Sequence, residues 1–209
     1  MTRQIKPVND NIEKQRAYAV NIRRYNKAMK EGFYFEALLI DYAMIEDRLR
    51  SFIYHIGGLK TRESYSIGKG SARKRLTEIV SEYKEDRDST SLGISSLSGK
   101  MKIIRATLIW STEITGTPSD RYLRALKSQY EGQLDIGGLL DVLQGIRNWC
   151  NYRNEIIHAL MNKSVDSVNE KIVEQAVKGM ELARYLDNQV KYLKKGNQIR
   201  RSLGLNSEK

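Results

Sequence analysis

Arg153, Asn154 and His158 fall within six residues of a chain that holds only two histidines. An imidazole titrates near neutral pH and can take a proton from a ribose 2′-hydroxyl or return one to a leaving oxygen. A guanidinium can grip a phosphate bidentately and offset the charge that builds in a transition state. An asparagine can orient either group. RNA carries its own nucleophile, so these three side chains suffice for strand cleavage without a metal. The plainer reading is a structural Arg and His at a helix edge, with Arg153 paired to Glu46 or Asp41 of a neighbouring helix.

The spacing around the cluster is helical. Val142, Ile146, Trp149, Ile156 and Leu160 form one apolar row, and Arg153 falls in its gap. Leu143, Cys150, Ile157 and Met161 form an adjacent row, interrupted by Asn154. Burying a charge without a partner is costly. Arg153 must therefore meet a carboxylate or border a cleft or an interface. Asn154 and His158 are four apart and should share a face. Arg153 and His158 are five apart, or about 140° around a helix. They do not share a face within one helix, so a second copy of the chain is expected to supply the missing half of the site.

The cluster needs elements to hold it, and the pattern supplies only helices. Asp10 to Glu13 has capping-box spacing and opens a helix that ends at Glu31-Gly32. A second runs from Phe33 through Phe35, Leu38, Leu39, Tyr42, Ile45, Leu49, Phe52 and Ile53 to Gly57-Gly58. The short connection makes these two an antiparallel hairpin. Shorter helices are expected near 72–83, 97–113 and 122–130, the last opened by Thr117-Pro118-Ser119-Asp120 with Thr117 as cap. Ile136 to about Met161 carries the cluster, and Ser167 to Glu170 reads as a capping box that starts the last long helix. The expectation is a single all-α domain. Its up-down bundle has core helices over about 10–57 and 136–195, a helical insertion over about 59–135 and a basic tail over 196–209.

The 209 residues carry a formal net charge of +11, which favours a polyanionic partner such as RNA. Lys60, Arg62, Lys69, Arg73, Lys74 and Arg75 surround Tyr65 and are candidate RNA contacts, with a solvated loop as the other reading. Lys191, Lys194, Lys195, Arg200 and Arg201 around Tyr192 form a second basic patch. The lone Cys150 excludes an internal disulfide, and one Cys with two His makes no ordinary zinc site. Gly68-Lys69-Gly70-Ser71 lacks the first glycine, the hydroxyl residue and the strand of a phosphate loop. No cofactor or metal is expected. No run approaches the roughly 18 apolar residues of a membrane span, and Met1 to Lys14 lacks an apolar signal core. A cytosolic protein with no membrane role is expected. Trp110, Trp149 and Cys150 sit at core spacing, and His55 at a helix end reads as a capping or interface residue.

Arg153-Asn154-x-x-x-His158, late in a helical bundle, resembles the signature of the HEPN superfamily: an arginine, often a polar residue, then a histidine five to seven positions after the arginine. The resemblance implies a helical bundle that forms a homodimer, with two motifs meeting as a composite, metal-independent ribonuclease site. It implies His158 as general acid or base, Arg153 as phosphate clamp, Asn154 as orienter and Glu46 as a helper that positions Arg153. It also implies a toxin or an effector of defence against phage, with an antitoxin or defence-system partner. Members that lost catalysis bind RNA or protein partners instead, which is the alternative function. One position departs from the pattern. Members paired with a nucleotidyltransferase antitoxin usually carry a tyrosine two residues after the histidine, and Leu160 stands there. Control through that tyrosine is not expected.

Overall fold

The computed structural model describes residues 11–58, 70–85, 93–159, 162, 164–196 and 198–205. Among them are eight helices and no strand: α1 (Asn11–Glu31), α2 (Tyr34–His55), α3 (Ser71–Tyr83), α4 (Leu97–Glu113), α5 (Arg121–Gln133), α6 (Ile136–Ala159), α7 (Val165–Gly196) and α8 (Gln198–Ser202). The fold is all-α. Among these residues, no helix is long and apolar enough to cross a membrane.

Glycine sets the first two helix ends. Gly32 (φ 78°) lets the chain reverse, and the Phe33 amide returns to the Ala28 carbonyl at 2.8 Å. Gly57 (φ 77°) does the same for α2, with the Gly58 amide on the Ile53 carbonyl at 2.9 Å. Left-handed backbone there costs a side-chain-bearing residue more than glycine.

The apolar stripe of α2 is what the bundle is built around. Leu38, Ile45, Leu49, Phe52 and Ile53 are buried, and the broadest helix contact is between α2 and α7. α1 packs on α2, and α6 packs on α7. Residues 97–113 are not peripheral. α4 packs against both α2 and α6, and Met101, Ile103, Ile104, Ala106 and Leu108 are buried in the same cluster as the long helices. α4 therefore closes the gap between the helix that carries the cluster and the centre of the bundle. Trp110 and Trp149 are core residues, and the Trp149 indole donates to the Gln175 carbonyl of α7 at 2.7 Å. That bond fixes the axial position of α6 four residues before Arg153.

Three local expectations need correction. Asp120, not Thr117, caps α5: its carboxylate accepts from the Leu123 amide at 3.0 Å. The α7 helix begins at Val165, so Ser167 lies inside it rather than capping it. The segment after Gly196 is not only a basic tail. It folds as α8 against α5, burying Ile199 and leaving Arg200 1% exposed. The Arg200 guanidinium lies 3.7 Å over the Tyr54 ring and donates to the Tyr54 carbonyl at 3.0 Å, so it covers the C-terminal end of α2. His55, one residue on, is buried edge-on to the same ring.

Candidate functional site

The cluster sits in the second half of α6, where that helix leaves the core. Ile146, Trp149 and Ile156 stay buried, but Ile157 is 46% and Tyr152 49% exposed. The second apolar row of α6 is thus partly uncovered in the single chain.

Two clefts flank this half-helix. One, of about 790 Å³, opens between α2, α4 and α6 and is lined by Tyr42, Met101, Arg147, Cys150, Arg153 and Asn154. The other, of about 730 Å³, opens between α6 and α7 and is lined by Tyr152, Glu155, Ile156, His158, Lys171 and Glu174, among others. Arg153 and His158 therefore face different clefts, as the angular count requires.

Arg153 is half-buried and held in place. Its guanidinium lies 4.2 Å over the Tyr42 ring, and one of its terminal nitrogens donates to the Asn154 side-chain oxygen at 2.8 Å. Its Nε is buried with no hydrogen-bond partner. Among the described residues no carboxylate pairs with it. A cation over an aromatic face gains from the ring quadrupole and keeps its outward hydrogens for a ligand. The arrangement suits an oxyanion. Asn154 is drawn to Arg153 and lines its cleft, not that of His158, so the shared face expected for Asn154 and His158 is not what the structure shows. His158 is exposed, with Glu155 and Lys171 in the same cleft.

The carboxylates expected near Arg153 go elsewhere in the single chain. Glu46 pairs with Lys100 of α4 at 3.0 Å, and the Lys100 side chain is 0% exposed. Asp41 is fully buried against α7, with neither oxygen hydrogen-bonded among the described residues. Removing one member of a buried ion pair costs about 3–5 kcal/mol, because the other charge is left without its partner. Glu46 is partly exposed, so the lower end applies. Glu46→Gln is expected to lower the urea midpoint by an amount equal to roughly 3 kcal/mol, while any cleavage per folded molecule stays at the wild-type rate. A normal midpoint with lost cleavage would return Glu46 to the site.

Around Arg153 the remaining charges are tied down. Arg147 and Arg105 of α6 and α4 both pair with Glu85, the latter at 3.2 Å. The hydrogen bond from Arg147 holds the Glu85 carboxyl below its usual range against the opposing effect of burial, with both arginine charges helping. Burial pushes the Cys150 thiol up, only partly offset by the Arg153 charge, which is the wrong direction for a thiolate nucleophile. Cys150 is a half-buried wall residue.

Of the basic residues expected to touch RNA, Lys60, Arg62 and Lys69 lie outside the described residues. Arg73, Lys74 and Arg75 are on α3. Lys74 is 4.0 Å from Glu78, while Arg75 pairs with Glu78 at 3.1 Å and Asp120 at 3.7 Å. Only Arg73 of the three is exposed without an ion pair among the described residues. Tyr42, which seats Arg153, was visible in the sequence only as one more apolar-row residue of the second helix.

Among the described residues no group of three His, Cys, Asp or Glu side chains comes together as a metal site. Comparison of the chain with family models, curated proteins and solved structures finds no match.

Proposed function

We propose that the protein is a metal-independent endoribonuclease of HEPN type whose site is completed by a second copy of the chain. The observation that carries this reading is Arg153, fixed between Tyr42 and Asn154 at a cleft, its charge unmatched by any carboxylate among the described residues. An arginine so placed is ready for a phosphate. His158 is exposed on the same half-helix but opens to the other cleft. A two-fold contact through the uncovered Ile157 side of α6, which lies between Arg153 and His158 around the helix, would bring the Arg153 of one chain toward the His158 of the other.

In this mechanism the RNA 2′-hydroxyl attacks its own phosphorus as His158 withdraws the proton. Arg153 neutralises the added charge on the phosphoryl oxygens. The P–O5′ bond breaks, and the protonated His158 returns its proton to the leaving 5′-oxygen. The products are a 2′,3′-cyclic phosphate, opening to a 3′-phosphate, and a 5′-hydroxyl. A toxin or phage-defence role would follow from an activity aimed at cellular RNA.

The test is cleavage of mixed cellular RNA in EDTA by the wild type, His158→Ala and Arg153→Ala. Each substitution is expected to lower the rate by at least about 100-fold, the scale of one acid–base group or one oxyanion donor. Cleavage kept by both variants would remove the site. RNA binding with no cleavage by the wild type would leave a non-catalytic binding module in its place.

A further inference from the structure

The strongest unassigned surface is the outer face of α1. Its inner face is fully engaged. Tyr18, Ile22, Tyr25, Ala28 and Met29 pack into the core cluster, and the Tyr25 hydroxyl donates to the Ala176 carbonyl of α7 at 3.0 Å. Lys14 and Tyr18 both hold Asp47 of α2. The outer face carries Arg16, Arg23, Lys27 and Lys30, all exposed. Offsets of seven, eleven and fourteen from Arg16 place all four within about 60° of arc at ~100° per residue. They span about 21 Å of helix at 1.5 Å per residue. Arg24 flanks the row and is exposed too.

This row differs from several other charged faces of the molecule. Between Glu13 and Glu31 the helix holds no acidic residue. Among the described residues none of these five cations makes an ion pair. By contrast Lys178 pairs with Glu181, Lys191 with Asp187, and Lys74 and Arg75 with Glu78. Like charges three and four apart on a helix repel one another. The pairs Arg23–Lys27, Arg24–Lys27 and Lys27–Lys30 therefore oppose helix formation until an anion lies across them.

We infer that the outer face of α1 is a docking surface for the phosphate backbone of RNA, engaging several successive phosphates along the helix. The choice of RNA as the polyanion rests on the proposed cleavage function; the row itself rests on charge and spacing alone. An anionic bilayer fits less well. A helix that lies in a membrane surface needs a broad apolar face beside its cations. The only large apolar side chains exposed on α1 are Ile12 and Val20, and it exposes no aromatic. With no exposed aromatic the row offers phosphate contacts rather than an aromatic stacking platform, so it grips without reading sequence. It would hold a strand while the α6 cluster selects the bond to cut.

The experiment measures binding alone, in the His158→Ala background so that the RNA is not consumed. Fluorescence anisotropy of a labelled single-stranded RNA, and of DNA of the same sequence, is recorded across a salt series. The parent is compared with the same protein carrying Arg23→Gln, Lys27→Gln and Lys30→Gln, with circular dichroism confirming equal helicity. Each lost phosphate contact removes about 0.7 from the slope of log affinity against log salt, so the slope should fall by about 2 and Kd near 0.1 M salt rise about 100-fold. DNA should weaken comparably. Unchanged slope and affinity at equal helicity overturn the proposal. So does a variant that keeps its RNA affinity but loses binding to phosphatidylserine vesicles. A wild type that cleaves nothing, beside a variant whose salt slope falls as stated, removes the ribonuclease reading and leaves this surface standing.

Discussion

A heterodimer of one Arg153→Ala chain and one His158→Ala chain, isolated through two different tags, is expected to cleave RNA at about half the wild-type rate, although each parent homodimer is nearly inert. The arithmetic follows from two-fold symmetry. If each site takes Arg153 from one chain and His158 from the other, the mixed dimer holds one site with both groups removed and one with both intact. If instead each site were built within one chain, both sites of the mixed dimer would lack a group and nothing would be recovered. A heterodimer as inert as its parents would therefore sink the shared site even if both single variants behave as expected.

The geometry favours recovery. Five residues of helix separate Arg153 and His158 by about 7.5 Å along the axis and about 140° around it. They open to clefts on different sides of α6. Arg153 is not free to swing, since Tyr42 and Asn154 hold its guanidinium. One phosphate cannot reach both groups in a single chain without undoing those contacts. An activity that depends on both residues thus argues for two chains.

The helices were legible because their signals are local. The three-and-four spacing of Leu38, Ile45, Leu49 and Phe52 and the glycines at 32 and 57 each act within a turn or two of the chain. The angular relation of Arg153 to His158 was legible for the same reason. What sequence could not supply was partnership across the fold. Glu46 lies 54 residues from Lys100, and only the packing of α4 against α2 makes them a pair. Arg200 reads as one cation of a basic tail, yet the ring and carbonyl of Tyr54, 146 residues away, draw it into the core. Asn154 was assigned the face of His158 from the direction of its backbone. Its side chain instead turns to the neighbouring guanidinium, which a helical count does not see.

Between about pH 4 and pH 8 the protein is expected to lose stability as pH rises, through Asp41. This carboxyl is 0% exposed at the packing of α2 against α7. A Cβ on Gly179 of α7 would stand 2.7 Å from its Oδ2, so the glycine is what lets the two helices close over it. Burial pushes the Asp41 carboxyl up to about 8, against the pull of the Arg184 charge. The neighbouring Tyr25 hydroxyl of α1 is likewise pushed up to about 12, by burial first and then by the Asp41 charge. In the unfolded chain an aspartate titrates near 3.9. Between the two values the folded state keeps a proton that the unfolded state has released, so each rise in pH favours unfolding. The contribution is fully present below about pH 4 and gone above about pH 8. A shift of roughly four units corresponds to about 5 kcal/mol, an upper figure. Asp41→Asn removes the titration while nearly keeping the shape. Urea midpoints of the two proteins should diverge from pH 5 to about pH 8 and run parallel above it, with the variant the more stable by several kcal/mol at the alkaline end. Parallel curves would mean that Asp41 is ionised in the fold, held by a partner strong enough to outweigh its burial.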